Sequence, residues 1–183
     1  LDGALELLDE AERQYVQGAD PDVHPIAALK TRVWVTQGRL ADATGWVRER
    51  SLSVDDDLSY LREFEHITLA RALIAGYESV RGESSVREAM GLLERLLQAA
   101  QEGRRTGSII EILVLQALAY EARGDRPTAL APLERALSLA APEGYVRIFV
   151  DEGLPMAGLL SEAAANGIMP GYTARLLAAF ESE

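Results

Sequence analysis

His24 and His66 are the only imidazoles in the chain, so a Ser-His-Asp relay or a histidine-ligated metal has to use one of them. His66 closes the tetrapeptide Glu63-Phe-Glu-His66. A Glu-x-x-His step places a carboxylate and an imidazole on one helix face, as in di-iron helical bundles, but those sites need a second such step and further carboxylates. No second Glu-x-x-His occurs, so no metal site is expected. His24 lies in the Pro21-Asp-Val-His-Pro25 turn, where exposure is the ordinary outcome. A catalytic triad would also need a strained nucleophile turn, and none is visible. Cysteine is absent, which excludes disulfides, thiolate nucleophiles and Cys-ligated metals. Together these residues predict a chain that is not an enzyme and holds no cofactor of its own.

The remaining polar and aromatic signals favour plain readings. The net charge of −11 argues against grip on a polyanion, which requires a basic stripe that displaces counterions. The doublet Arg104-Arg105 follows an apolar helix, where cations face the helix dipole favourably. Arg147 and Asp151 are spaced as a solvated helical pair. Trp34 and Tyr120 could stack on a ligand, but their shared position against a turn favours packing between paired helices. The last two helical segments, Pro155–Ala165 and Gly171–Phe180, could pass for a DNA-reading helix-turn-helix. The second offers Arg175 as its single basic residue, so closing off the helical stack is the better reading.

These residues must be positioned by helices. Ala, Leu, Glu and Arg dominate a chain that is 48% hydrophobic, and β-branched and aromatic residues are sparse. Four segments share an alanine followed four residues later by an apolar side chain: Ala4–Leu8, Ala43–Val47, Ala89–Leu93 and Ala129–Leu133. A small residue and a larger one at that spacing share a helix face and let a neighbouring helix approach closely. Before two of these segments comes a matching helix and turn, Leu29–Gly38 and Leu115–Gly124. In both, an aromatic (Trp34, Tyr120) sits four residues before the glycine, and the alanine follows five residues after it. The glycine suits the left-handed end of a helix, and Asp125 with Pro127 suits the next helix start.

The unit is therefore a repeated helix–turn–helix in a single helical-repeat domain over 1–183. First repeats occupy 1–50, an irregular middle repeat 60–103, the best-formed repeat 106–141, and C-terminal capping helices 144–183. Ser51–Ser59, with three successive aspartates, reads as an exposed linker and N-cap region. In the middle repeat a helix from about Tyr60 to Ala75 reaches Gly76. The stretch opening Tyr77-Glu-Ser-Val-Arg-Gly-Glu-Ser-Ser then predicts a longer surface loop or an extra turn. The longest apolar run, Ile109–Tyr120, is shorter than the roughly 20 residues that span a bilayer, and no signal peptide opens the chain. Cytoplasmic location without membrane attachment is expected. A start at Leu1 in mid-pattern predicts a piece of a longer protein.

The aromatic–Gly–Ala spacing resembles tetratricopeptide repeats. The run Thr106–Ala119, then Leu133-Glu-Arg-Ala-Leu-Ser-Leu-Ala and Pro142–Gly153, with the block Phe64–Ile74, resembles the repeat region of MalT-like, LuxR-type ATP-dependent bacterial transcriptional regulators. That resemblance covers nearly the whole chain. It implies an all-α, tetratricopeptide-like α-solenoid, a right-handed superhelix of antiparallel helix pairs. It also implies a signal-sensing and protein-interaction role. A small-molecule inducer or regulatory protein would bind here, with self-association a further expectation. ATP and DNA would be handled by other parts of the full-length protein, since no glycine-rich phosphate loop is present. The alternative is a general tetratricopeptide adaptor that docks a peptide or protein partner.

The candidate binding residues follow from the turn glycines. Positions thirteen, ten and six residues before them share one helical face. They are Arg32 before Gly38, Glu63 and His66 before Gly76, and Glu111, Val114 and Leu118 before Gly124. The tetratricopeptide resemblance implies that this face lines a concave groove. As groove residues, Arg32 and His66 are expected to tolerate alanine with stability within about half a kcal/mol of wild type.

Overall fold

A computed structural model describes residues 2–15, 22–80 and 83–181, and the described residues are helical with connecting turns and no strand. The chain divides into two compact units, residues 1–96 and 97–183, with the boundary inside one helix.

The first unit contains α1 (Asp2–Gln14), α2 (Ile26–Thr36), α3 (Leu40–Glu49), a single 3-10 turn (Tyr60–Arg62), α4 (Glu63–Val80) and the first part of α5 (Glu83–Glu102). α2 packs against α1, α3 and α4, and α3 also touches α4. The second unit contains the end of α5, α6 (Thr106–Ala122), α7 (Arg126–Ala140), the short α8 (Arg147–Val150), α9 (Leu154–Ala165) and α10 (Pro170–Phe180). There α6 and α7 form the tightest pair, α9 packs on both, and α10 packs on α8 and α9.

Local chemistry explains the turns. Gly38 and Gly124 take φ values of 72° and 78°, the left-handed conformation that ends α2 and α6 without a Cβ clash. The N–H groups of Arg39 and Asp125 then donate back to the carbonyls of Trp34 and Tyr120. The Asp125 side chain caps α7 by accepting from the Thr128 N–H at 3.3 Å. Ala43, Ala89 and Ala129 are all buried, which is the close-approach role their spacing predicts. Ala4 of α1 is half-buried.

Several details differ from the sequence expectations. Gly76 does not end a helix: α4 runs through it to Val80, and α5 begins at Glu83. Tyr77 is buried, so the turn after the glycine is anchored in the core, and the extra residues extend helices. Arg81 and Gly82 of that stretch lie outside the described residues. Segment 51–59 is not a fully exposed linker, because Leu52 is buried and Asp56 is bonded to α4. Trp34 and Tyr120 are only half-buried. The tryptophan that fills the first unit is Trp46, three residues after Ala43 on the same face of α3.

Candidate functional site

Within the first unit, α4 is dressed on two opposite faces. On one, Phe64 and Thr68 stand a helical turn apart and meet α2. The Arg32 guanidinium lies 3.6 Å from the centroid of the Phe64 ring, a close cation–π stack. Its Nε donates to Thr68 Oγ1 at 2.9 Å. The Thr68 hydroxyl donates in turn to the Phe64 carbonyl at 2.8 Å, which leaves its oxygen to accept from the arginine. His24 meets Phe64 edge-on, with ring centroids 4.7 Å apart. That turn is set locally, since the His24 N–H donates to Asp22 Oδ1 at 3.2 Å. Arg32 and Phe64 are half-buried and His24 is exposed, so the cluster reaches the surface.

His66 lies two residues from both Phe64 and Thr68, about 200° around the helix, and so faces the other way. It is wholly buried. Nδ1 is 2.9 Å from the Arg62 carbonyl oxygen and Nε2 is 3.1 Å from Asp56 Oδ2. The same Asp56 oxygen accepts from the Ser53 N–H at 3.1 Å. Arg95 of α5 donates to the carbonyls of Val54 and Asp56, holding the segment from its other side. Beside His66, the buried Glu65 carboxylate accepts from Arg50 at 2.7 Å and from Arg62 at 2.9 Å. Burial pushes the Glu65 carboxyl up, but Arg62 and Arg50 outweigh it and hold it below the usual range. The Ser53 N–H, and then His66, hold Asp56 low as well. This is a clasp that fixes the α3–α4 connection to α4.

The six sequence-selected residues therefore have different surroundings. Arg32 points to the accessible Phe64 face. His66 is internal to the clasp, so the expected tolerance of alanine at this position is corrected by its burial and its two polar contacts. Glu63 is also buried. In the second unit, Glu111 is half-buried, Val114 is fully buried and Leu118 nearly so. The reason is that α6 is enclosed on all sides, with Ile110 and every residue from Ile112 to Ala119 buried. Among the described residues no group of three His, Cys, Asp or Glu side chains is placed to hold a metal ion, and no helix is long and apolar enough to cross a membrane.

Counting from glycines found Arg32 but missed Phe64 and His24, the rings that make its surroundings. Phe64 was findable, since it lies four residues before Thr68 on a helix already recognised. No local signal ties His24 to Phe64, because that contact is made by the return of the chain.

The family described as the MalT-like TPR region matches residues 1–166. A search of the curated proteins gives no match.

Proposed function

Because the chain belongs to the MalT-like TPR region family, we propose that it is the signal-receiving and partner-binding part of a bacterial LuxR-type transcriptional regulator. In this reading an inducer or regulatory protein binds the repeats, and the event is relayed to a nucleotide switch and a DNA-binding domain elsewhere in the protein. The chain acts in the cytoplasm, holds no cofactor and does no covalent chemistry. The observation that carries the reading is the family match over residues 1–166.

Arg32, Phe64 and His24 are the binding face within the first unit. The stack supports this because a guanidinium and an aromatic ring, both only half-buried, place a positive charge beside an apolar plane. Such a face suits a hydroxyl-rich small molecule or a peptide. Thermal-shift screening of the chain against sugars and short peptides tests it, since a ligand of the native state raises the apparent stability. Arg32→Lys keeps the charge and removes the planar stack, and Phe64→Leu removes the ring. Both should abolish a ligand-induced shift that the unmodified chain shows. Wild-type shifts in both variants would place the ligand elsewhere, and a screen without any shift would count against sensing by these repeats.

A further inference from the structure

α1 is held in an unusual way. None of its described side chains is buried, and Leu7 is 73% exposed. Ala4, Leu5 and Leu8 are half-buried, and two ion pairs join α1 to α2. Lys30, the only lysine of the chain, places Nζ 2.7 Å from Asp9 Oδ1 and 2.9 Å from Glu12 Oε2. Only 16% of the lysine side chain remains exposed, while each acid is half exposed. Trp34, one turn further along α2, has the Lys30 ammonium 5.8 Å and the Arg39 guanidinium 5.7 Å from its ring centroid. Arg39 also pairs with Asp42 at 2.8 Å. α2 and the turn that follows it thus place an ammonium (Lys30), an indole (Trp34) and the guanidinium at the start of α3 (Arg39) side by side in a protein of net charge −11. The helix lying on α2 carries Glu6, Asp9, Glu10 and Glu12.

We propose that the Lys30–Trp34–Arg39 strip, formed by α2 and the turn into α3, is a docking site for acidic amphipathic helices, held in cis at Lys30 by α1 and open to a partner's acidic helix that displaces it. The argument is charge complementarity together with weak cis occupancy. Half-exposed ion pairs are screened by salt and individually weak, and α1 adds little buried apolar surface to them. α1 and α2 belong to one chain, so their contact is intramolecular and gains from a high effective concentration. A partner helix with two carboxylates one turn apart beside an aliphatic face can make the same contacts from outside. This site is separate from the Arg32–Phe64 face and does not depend on the function proposed above.

The single lysine gives the readout, because Lys30 is the only side-chain amine an activated acetyl ester can convert to a stable amide, which peptide mapping follows at that residue. Docked carboxylates keep Lys30 protonated: the hydrogen bonds to Asp9 and then Glu12 raise its pKa against the opposing effect of burial. In the full chain, Asp9→Asn with Glu12→Gln should raise the Lys30 acetylation rate about fivefold by releasing α1. A blocked synthetic peptide with the sequence of residues 2–14, added at millimolar concentration, should slow that variant back towards the wild-type rate. The same peptide carrying the Asn and Gln replacements should not. An unaltered rate in the variant would show that α1 does not hold Lys30. A faster rate that neither peptide slows would show that the strip is not a docking site, and equal protection by both peptides would remove the requirement for acid. Any of these three outcomes overturns the proposal.

Discussion

His66 Nε2 lies 3.1 Å from the Asp56 carboxylate across ten residues of sequence, and the histidine ring is wholly buried. The pair fastens the α3–α4 connection to α4, beside the bonds from Arg95 to the Val54 and Asp56 carbonyls. His66→Ala removes a buried ring and leaves the Arg62 carbonyl and Asp56 without this partner. A loss of about 1–3 kcal/mol in urea unfolding is expected. In a double-mutant cycle with Asp56→Asn the two losses should be less than additive. Additive losses would mean that the two residues act independently.

Acid should loosen the same clasp. Asp56 and Glu65 both have pKa values lowered in the fold. A carboxyl held lower when folded than when unfolded adds stability above its unfolded value, about 4. That contribution disappears as pH falls through the lower, folded value. The contribution of these two carboxyls to the urea midpoint should therefore be fully present above about pH 5 and decline with further acid. Glu65→Gln should make the decline shallower. An identical slope in this variant would show that Glu65 does not carry the effect.

Ala129 is fully buried at the α7 position that lets its neighbour approach. Ala129→Phe should overpack this site and cost about 1–3 kcal/mol, seen as a lower melting temperature. An unchanged melting temperature would mean that the α6–α7 pair adjusts its spacing without strain.

The chain should neither bind duplex DNA at physiological salt nor hydrolyse ATP, given its acidity and the lack of a phosphate loop. A gel-shift titration showing affinity with a steep salt dependence would contradict this.

Features set by neighbours in sequence were legible before the structure. Gly38 and Gly124 are examples, because a left-handed helix end is a property of one residue's backbone. The buried alanines at 43, 89 and 129 could be read because a helix face repeats every three to four residues. Gly76 misled because a glycine inside a helix costs only about 1 kcal/mol, and the buried Tyr77 beyond it offsets that cost. The aromatic-to-glycine spacing points to Trp34 on α2 and carries no signal for Trp46, which shares a face of α3 with Ala43 and fills the core. For the site, spacing alone could place Arg32 and His66 on their helices. It could not show that Phe64 underlies one and Asp56 faces the other, since both contacts are made by chain segments that return in space.

The enclosure of α6 bears on how this sequence can drift. A helix lying on a surface keeps a polar side whose residues exchange with little consequence. From Ile112 to Ala119 there is no such side, because all eight positions in a row are buried. Gln116 is the one polar residue among them. Substitutions there are confined to apolar residues of nearly fixed volume, and a change at one position requires an answering change in α7 or α9. Relatives of this chain should therefore vary least in that stretch, with paired replacements across the helices it touches, while the outer faces of α1 and α5 change without such partners.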